Sequence, residues 1–306
     1  MADILITGGS GVAGAALDAL LTARGADIRV LRGRADGDLE DWHVCRALFE
    51  REKPRLVYHL AGAVFGLGGN TAFPGDAFRR NTLLNLHVIE ASRQIGVEKI
   101  VAMGTAAIYA DGLQQPMRED DALKGEPHAS EYAYAFAKRG MLVQLESYRR
   151  QFGTRFAYAI STNLYGPHDR FNIEYGHVIP SLLMKFESAS RDGGVVDIWG
   201  DGSPQRDFLY AADAAAGLAK LMDQGEGTYN LASGKPGTIH ELVTAIAAFY
   251  PDVVYRWDPE KPLGQLRRSY DVTKIQDIGF QTSYSLNRGL EETILWVKEN
   301  FNSLRS

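Results

Sequence analysis

Three side chains in this sequence could move a proton to or from a substrate oxygen. Tyr134 and Lys138 stand four residues apart in EYAYAFAK, and Thr105 precedes them in MGTAAIY. On a helix, positions i and i+4 project from one face, so phenol and ammonium become neighbours. A free tyrosine, with a pKa near 10, is a poor acid or base at neutral pH. A lysine one turn away and the positive nicotinamide of a cofactor favour the phenolate, which lets the phenol exchange a proton with a sugar hydroxyl or ketone. Thr105 follows a strand, where its hydroxyl can orient the same oxygen. The pair alone does not separate catalysis from packing, since Tyr132 and Tyr148 put other aromatics on the same stretch.

The elements that must position these groups begin with ITGGSGVAG. Gly8, Gly11 and Gly14 follow a short strand and open a helix, and Gly9, Gly11 and Gly14 satisfy G-x-G-x-x-G. Glycines there let the backbone turn tightly and approach a pyrophosphate at a helix N-terminus, with Val12 in the first turn. The strand–glycine–helix context is what that motif requires. The second strand ends in Leu31-Arg32-Gly33-Arg34, with no acid for the ribose hydroxyls of NAD. Arg32 and Arg34 suit a 2′-phosphate, which favours NADP(H) over NAD, while two solvated surface arginines are the alternative. Asp38 and Leu39 are candidate adenine contacts. Ala61 sits in the small-residue turn after the third strand.

Strands at Ile4–Thr7, Asp27–Leu31, Leu56–Leu60, Lys99–Met103 and Arg155–Ile160 alternate with helices at Val12–Arg24, Asp41–Glu52, Asp76–Ile95 and Ser130–Gln151. That rhythm predicts an α/β fold with a Rossmann-type, doubly wound parallel sheet. Residues 1–165 are expected to form the dinucleotide-binding domain. Residues 166–306 are expected to be mainly a smaller α/β substrate-binding region, with parts of 205–240 returning to the first. Val195–Trp199 and Gly227–Leu231 read as additions to the sheet. Helices are expected at Ala211–Asp223, Ile239–Phe249 and Leu286–Asn300. The loop Phe65–Pro74 and the segment Arg170–Gly176 are expected to shape the substrate pocket.

Bulk properties narrow the class. The 306 residues carry a net charge of −5, which argues against nucleic acid as partner. No apolar run approaches the roughly 20 residues of a membrane span, and the N-terminus lacks a signal-peptide pattern. The one cysteine, Cys45, excludes an internal disulfide and fits a reducing, cytoplasmic setting. The seven histidines show no metal-ligand spacing, so no metal site is expected.

The sequence resembles the extended short-chain dehydrogenase/reductases that act on nucleotide sugars, most closely the GDP-L-fucose synthase group. ITGGSGVAG, VYHLAG, GTAAIY, YAYAFAK, STNLYGPHDRF, HVIP, WGDGSPQRDFLYAAD, NLASG and SYDVTKIQDIGF carry that resemblance, in order, over nearly the whole chain. It implies Thr105, Tyr134 and Lys138 as the catalytic set. Asn163 and His177 would lie near the hexose and nicotinamide, His177 being the group's acid in epimerisation. Arg206 would reach the diphosphate or sugar, with Lys185, Trp199 and Lys274 at the nucleotide end. The residues themselves leave other roles open: His177 could start a helix, and Arg206 could pair with Asp207. A GDP-sugar substrate and a homodimer through the helices Asp76–Ile95 and Ser130–Gln151 are further implications of the resemblance.

One position departs from the group. Where its members keep a cysteine, two residues after the catalytic hydroxyl, this chain has Ala107. A methyl group cannot carry a proton. The reading that results is an NADPH-dependent C4 ketoreductase on a GDP-linked 4-keto-6-deoxy sugar, with C3/C5 epimerisation lost or weak. The alternatives are a nucleotide-sugar 4-epimerase, a bifunctional epimerase/reductase, and a cofactor-binding scaffold without activity.

Overall fold

The computed structural model describes residues 2–173, 176–261 and 265–304. The first half alternates β1 (Ile4–Thr7), α1 (Val12–Ala23), β2 (Ile28–Leu31), α2 (Trp42–Glu52), β3 (Leu56–His59), α3 (Gly66–Ala72), α4 (Pro74–Gln94), β4 (Lys99–Met103), α5 (Tyr132–Phe152) and β5 (Phe156–Ser161). Then follow β6 (Asn163–Tyr165), α6 (Val178–Asp192), β7 (Val195–Trp199), β8 (Gln205–Arg206), β9 (Phe208–Tyr210), α7 (Ala211–Gln224), β10 (Gly227–Leu231), β11 (Gly237–Thr238), α8 (Ile239–Ala247), β12 (Val254–Asp258), α9 (Thr273–Asp277) and α10 (Leu286–Leu304). The central sheet has six parallel strands in the order β10-β5-β4-β3-β1-β2. This is the expected Rossmann-type sheet, and the C-terminal ends of β1, β3 and β4 lie side by side in it.

Alternation along the strands feeds two cores. Ile4 and Ile6 pack with Leu17 of α1 and Leu218 of α7 on one face. Leu5 packs with Val88 of α4 and Leu142 of α5 on the other. A third core joins α6, β7, α8 and α10 through Leu183, Ile198, Leu242 and Ile294. Helix ends follow their local chemistry. The Asp41 carboxylate accepts the backbone N–H groups of His43 and Val44 at the start of α2. Gly153 closes α5 with a φ of 72°. Among the described residues no helix is long and apolar enough to cross a membrane.

Two readings need correction. Val195–Trp199 does not extend the main sheet; it pairs in parallel with β12, a strand the sequence reading omitted. The helix α6 lies in a region read as loop. Pro180, in its first turn, occupies a position where the missing N–H would have had no helical partner anyway. Leu84 and Ile89 of α4 are buried within their own chain, whereas Leu86 is exposed.

A polar chain ties the strand ends together beneath the glycine turn. Buried His59 at the end of β3 stands 2.9 Å from the Thr7 hydroxyl and 3.0 Å from Asn85 Oδ1 of α4. Thr7 Oγ1 in turn accepts the Ala61 N–H at 3.2 Å. Burial, reinforced by the charge of Lys138, pushes the His59 imidazole from 6.5 down to about 3. The unfolded chain takes up that proton near pH 6.5, while the folded chain resists until about 3. Stability therefore falls as pH drops through that window. His59→Gln is expected to reduce stability at pH 7 by about 1–3 kcal/mol and to make the acid-side loss shallower. Urea denaturation at stepped pH measures both effects.

Candidate active site

The C-terminal ends of β1, β3 and β4, with β6 and the starts of α1, α5 and α6, enclose a cavity of about 1280 Å³. A site for one small ligand typically occupies roughly 300–1,000 Å³, so there is room for two. Gly8, Gly11, Val12, Gly14 and Ala61 line one end, and Lys185, Trp199 and Arg206 line the other.

The glycines at the first end have different reasons. Gly8 has a φ of +77°, and a Cβ there would meet Ala61 N at 2.6 Å. A methyl at Gly14 would overlap the Gly8 carbonyl. Gly11 needs neither concession: it has an extended backbone, and its Cβ would meet only Gly8 O, at 3.7 Å. Packing does not require glycine at position 11, and the open space above it is where a pyrophosphate would approach the start of α1. The turn therefore fits a dinucleotide.

Thr105, Tyr134 and Lys138 all line this cavity. Lys138 is only 2% exposed, and its Nζ donates to Met103 O at 3.0 Å. Burial pushes its amine from 10.5 down to about 8. One turn earlier on α5, Tyr134 is half-buried. Burial, then the charge of Glu131, raises its phenol well above 10, and no hydrogen bond among the described residues claims its hydroxyl. Thr105 Oγ1 accepts the Ala107 N–H at 3.2 Å and starts a short 3-10 turn. Beneath them the Tyr158 hydroxyl donates to Lys138 O at 3.0 Å. Its ring fills the space where Gly104 would carry a methyl. Ala107 is buried beside Thr105 and offers no proton carrier. Cys45 is enclosed in α2, its thiol pushed up to about 12 by burial.

The far wall is cationic. Arg206 donates to the Gln205 carbonyl at 2.8 Å. It does not pair with Asp207, whose buried carboxylate accepts the N–H groups of Ser233 and Gly234 at 2.8 Å each. Burial lowers the affinity of Arg206 for its proton, and the charge of Arg268 lowers it further. Arg268 stands 3.7 Å from Glu131 and donates to the Gln265 side chain. Two guanidiniums lining one cavity, one lowering the other's hold on its proton, favour a bound anion. Lys185 donates to Asp197 O at 3.0 Å. Asn163 donates to Asp207 O at 3.0 Å, and His177 faces Asp169.

Several anticipated residues lie outside the cavity. Arg32 and Arg34 stand at the exposed end of β2, paired with Asp18 at 2.6 Å and Glu40 at 2.5 Å. Asp38 caps the Glu40 N–H, and Leu39 gives its carbonyl to His87. Lys274 also does not line the cavity: its amine donates to Thr228 O at 2.7 Å and lies over the Tyr229 ring. Glu174 and Tyr175, within the anticipated stretch Arg170–Gly176, lie outside the described residues. Arg268, Gln265 and Glu131 are lining residues the sequence reading missed. The only signal for Arg268 in the sequence is its place in the short basic cluster Arg267-Arg268.

A parallel sheet, a glycine turn after its first strand and a Tyr-x-x-x-Lys helix beside its fourth define a Rossmann-type protein of the extended short-chain dehydrogenase/reductase class. The chain belongs to the NAD dependent epimerase/dehydratase family, which it matches over residues 4–232. It is 33% identical to GDP-L-fucose synthase of Escherichia coli (strain K12), over 99% of this chain and 98% of that protein. It is 35% identical to the probable GDP-L-fucose synthase 1 of Oryza sativa subsp. japonica, over 99% of this chain and 94% of the other. The crystal structure of a Naegleria fowleri GDP-L-fucose synthetase bound to NADP superposes with a TM-score of 0.91. That match is 29% identical and covers 99% of this chain and 96% of the other.

The two glycines give a direct test of what shapes the turn. Gly14→Ala is expected to destabilise the fold by about 1–3 kcal/mol through overpacking. Gly11→Ala is expected to stay within about 0.5 kcal/mol of the parent. Thermal and urea unfolding of the two variants distinguish a structural glycine from one that leaves room for a ligand.

Proposed function

We propose that this protein is an NADPH-dependent C4 ketoreductase for a GDP-linked 4-keto-6-deoxy sugar, with C3/C5 epimerisation lost or weak. The observation that carries this reading is one cavity lined by Thr105, Tyr134 and Lys138 together with Arg206 and Arg268, with Ala107 beside Thr105. The GDP-L-fucose synthases among the relatives support a GDP-sugar, and the NADP of the Naegleria structure supports NADP(H).

Bound NADPH would supply a hydride to C4 of the sugar. The protein's own residues then handle the oxygen. The Tyr134 phenol, protonated at neutral pH, gives its proton as the ketone becomes an alcohol. Lys138, charged below about 8, stabilises the phenolate left behind. The Thr105 hydroxyl orients the C4 oxygen. Arg206 and Arg268 take the diphosphate, Lys185 and Trp199 flank the nucleotide, and Asn163 and His177 border the hexose. Gly8, Gly11, Val12, Gly14 and Ala61 cradle the cofactor phosphates, and Arg32 and Arg34 exchange their carboxylate partners for its 2′-phosphate. Inversion at a ring carbon needs proton carriers on both faces of the sugar, and Ala107 removes one. A homodimer through α4 and α5 belongs to the same proposal, supported by the exposed Phe78, Leu86 and Val143.

Tyr134→Phe is expected to lower kcat by about 10²–10⁴-fold with NADPH binding unchanged, as read by NADPH oxidation on a panel of 4-keto nucleotide sugars. No turnover by the parent protein across that panel would favour a binding role instead. For the parent, kcat/KM is expected to fall as pH rises through about 8, where Lys138 loses its charge. In D2O the product should carry no enzyme-dependent deuterium at C3 or C5; substantial label there would contradict the loss of epimerisation.

A further inference from the structure

Asp169 follows β6 and has a role that neither the cofactor turn nor the Tyr134 set explains. Its side chain is only 5% exposed. Oδ1 accepts the Arg170 N–H at 2.7 Å and faces His177 Nδ1 at 3.7 Å. Among the described residues, Oδ2 is buried with no hydrogen-bond partner. Among the described residues no lysine or arginine pairs with this carboxylate. The guanidinium of the adjacent Arg170 turns away and donates to Val64 O at 2.9 Å. A sealed carboxylate without a cation is costly, and among the described residues the imidazole of His177 is the ionisable group that faces it and can neutralise it.

His177 is free to serve. It is the N-cap residue of α6, but its side chain makes no capping bond. The ring is half-exposed on the cavity wall.

We propose that Asp169 is the positioning residue of this wall, fixing His177 so that the bound sugar meets a charged imidazolium and not a neutral base. The groups facing that ring act in both directions. The facing carboxylate of Asp169 raises its affinity for a proton, and the carboxylate of Glu131 at the start of α5 adds to this. Burial and Arg170 oppose it, as does the positive end of α6. Asp169, in direct contact, prevails. A charged His177 can donate a hydrogen bond or proton to a sugar oxygen but cannot abstract a proton from carbon. The inference rests on the proposed function only for what His177 meets; the raised affinity for a proton belongs to the ligand-free protein.

The test is the titration of His177 in the ligand-free protein, followed by ¹H–¹⁵N NMR of the imidazoles and assigned with His177→Asn. In the parent, His177 should titrate above the 6.5 of an unperturbed ring. In Asp169→Asn the titration should move downward, and Asp169→Glu should restore much of the rise. A parent value at or below 6.5, or an unmoved titration in folded Asp169→Asn, would overturn the proposal. Should Asp169→Asn fail to fold, the parent value decides alone. NADPH and GDP binding by the parent, measured by calorimetry in parallel, separates a failure here from a failure of the proposed function.

Discussion

Burial of the Lys138 ammonium is the constraint on which the rest of the site depends. A lysine that is 2% exposed and has no carboxylate beside it survives as a cation only if its surroundings are arranged for it. Met103 supplies a carbonyl from the end of β4. His59 is kept neutral nearby, so no second cation competes. The Tyr158 hydroxyl holds the Lys138 carbonyl from below, which fixes α5 to β5 and sets the height of Tyr134 over the cavity.

Charge is distributed unevenly in this acidic protein. The chain carries a net −5, yet Arg206, Arg268, Lys185 and Lys138 all line the same cavity. Two carboxylates, Glu131 and Asp169, share this lining, Glu131 beside Arg268 and Asp169 beside His177. The cavity is thus an anion-seeking region in a protein that otherwise repels anions, which suits two phosphorylated ligands. The family's chemistry is compatible with either reduction alone or reduction coupled to inversion. Under the proposed function, the distinction comes down to one methyl group, Ala107, where a proton carrier would be required.

The doubly wound half was legible in the sequence because its strands and helices announce themselves by period and by caps. Asp41 and Gly153 mark helix ends that the structure reproduces. The Tyr134–Lys138 spacing and the glycine turn could be read for the same local reason. What escaped depends on distant contacts. Arg268 enters the cavity because Ser269 is pinned to Gln115, which is 154 residues away along the chain. The strand β12 exists because β7 pairs with it. Lys274 looked like a ligand group by position in a motif, but its amine is taken by the edge of β10. Asp169 and its unpartnered oxygen have no signature at all in one dimension.

The most direct measurement is hydride tracing. NADPH deuterated at the reactive C4 position of its nicotinamide would be incubated with a GDP-4-keto-6-deoxy sugar, and the product analysed by NMR. Deuterium on C4 of the sugar, with C3 and C5 keeping the substrate's configuration, is the expected result. A product without deuterium at C4, or one inverted at C3 or C5, would contradict the assignment of Thr105, Tyr134 and Lys138 to a reduction uncoupled from epimerisation.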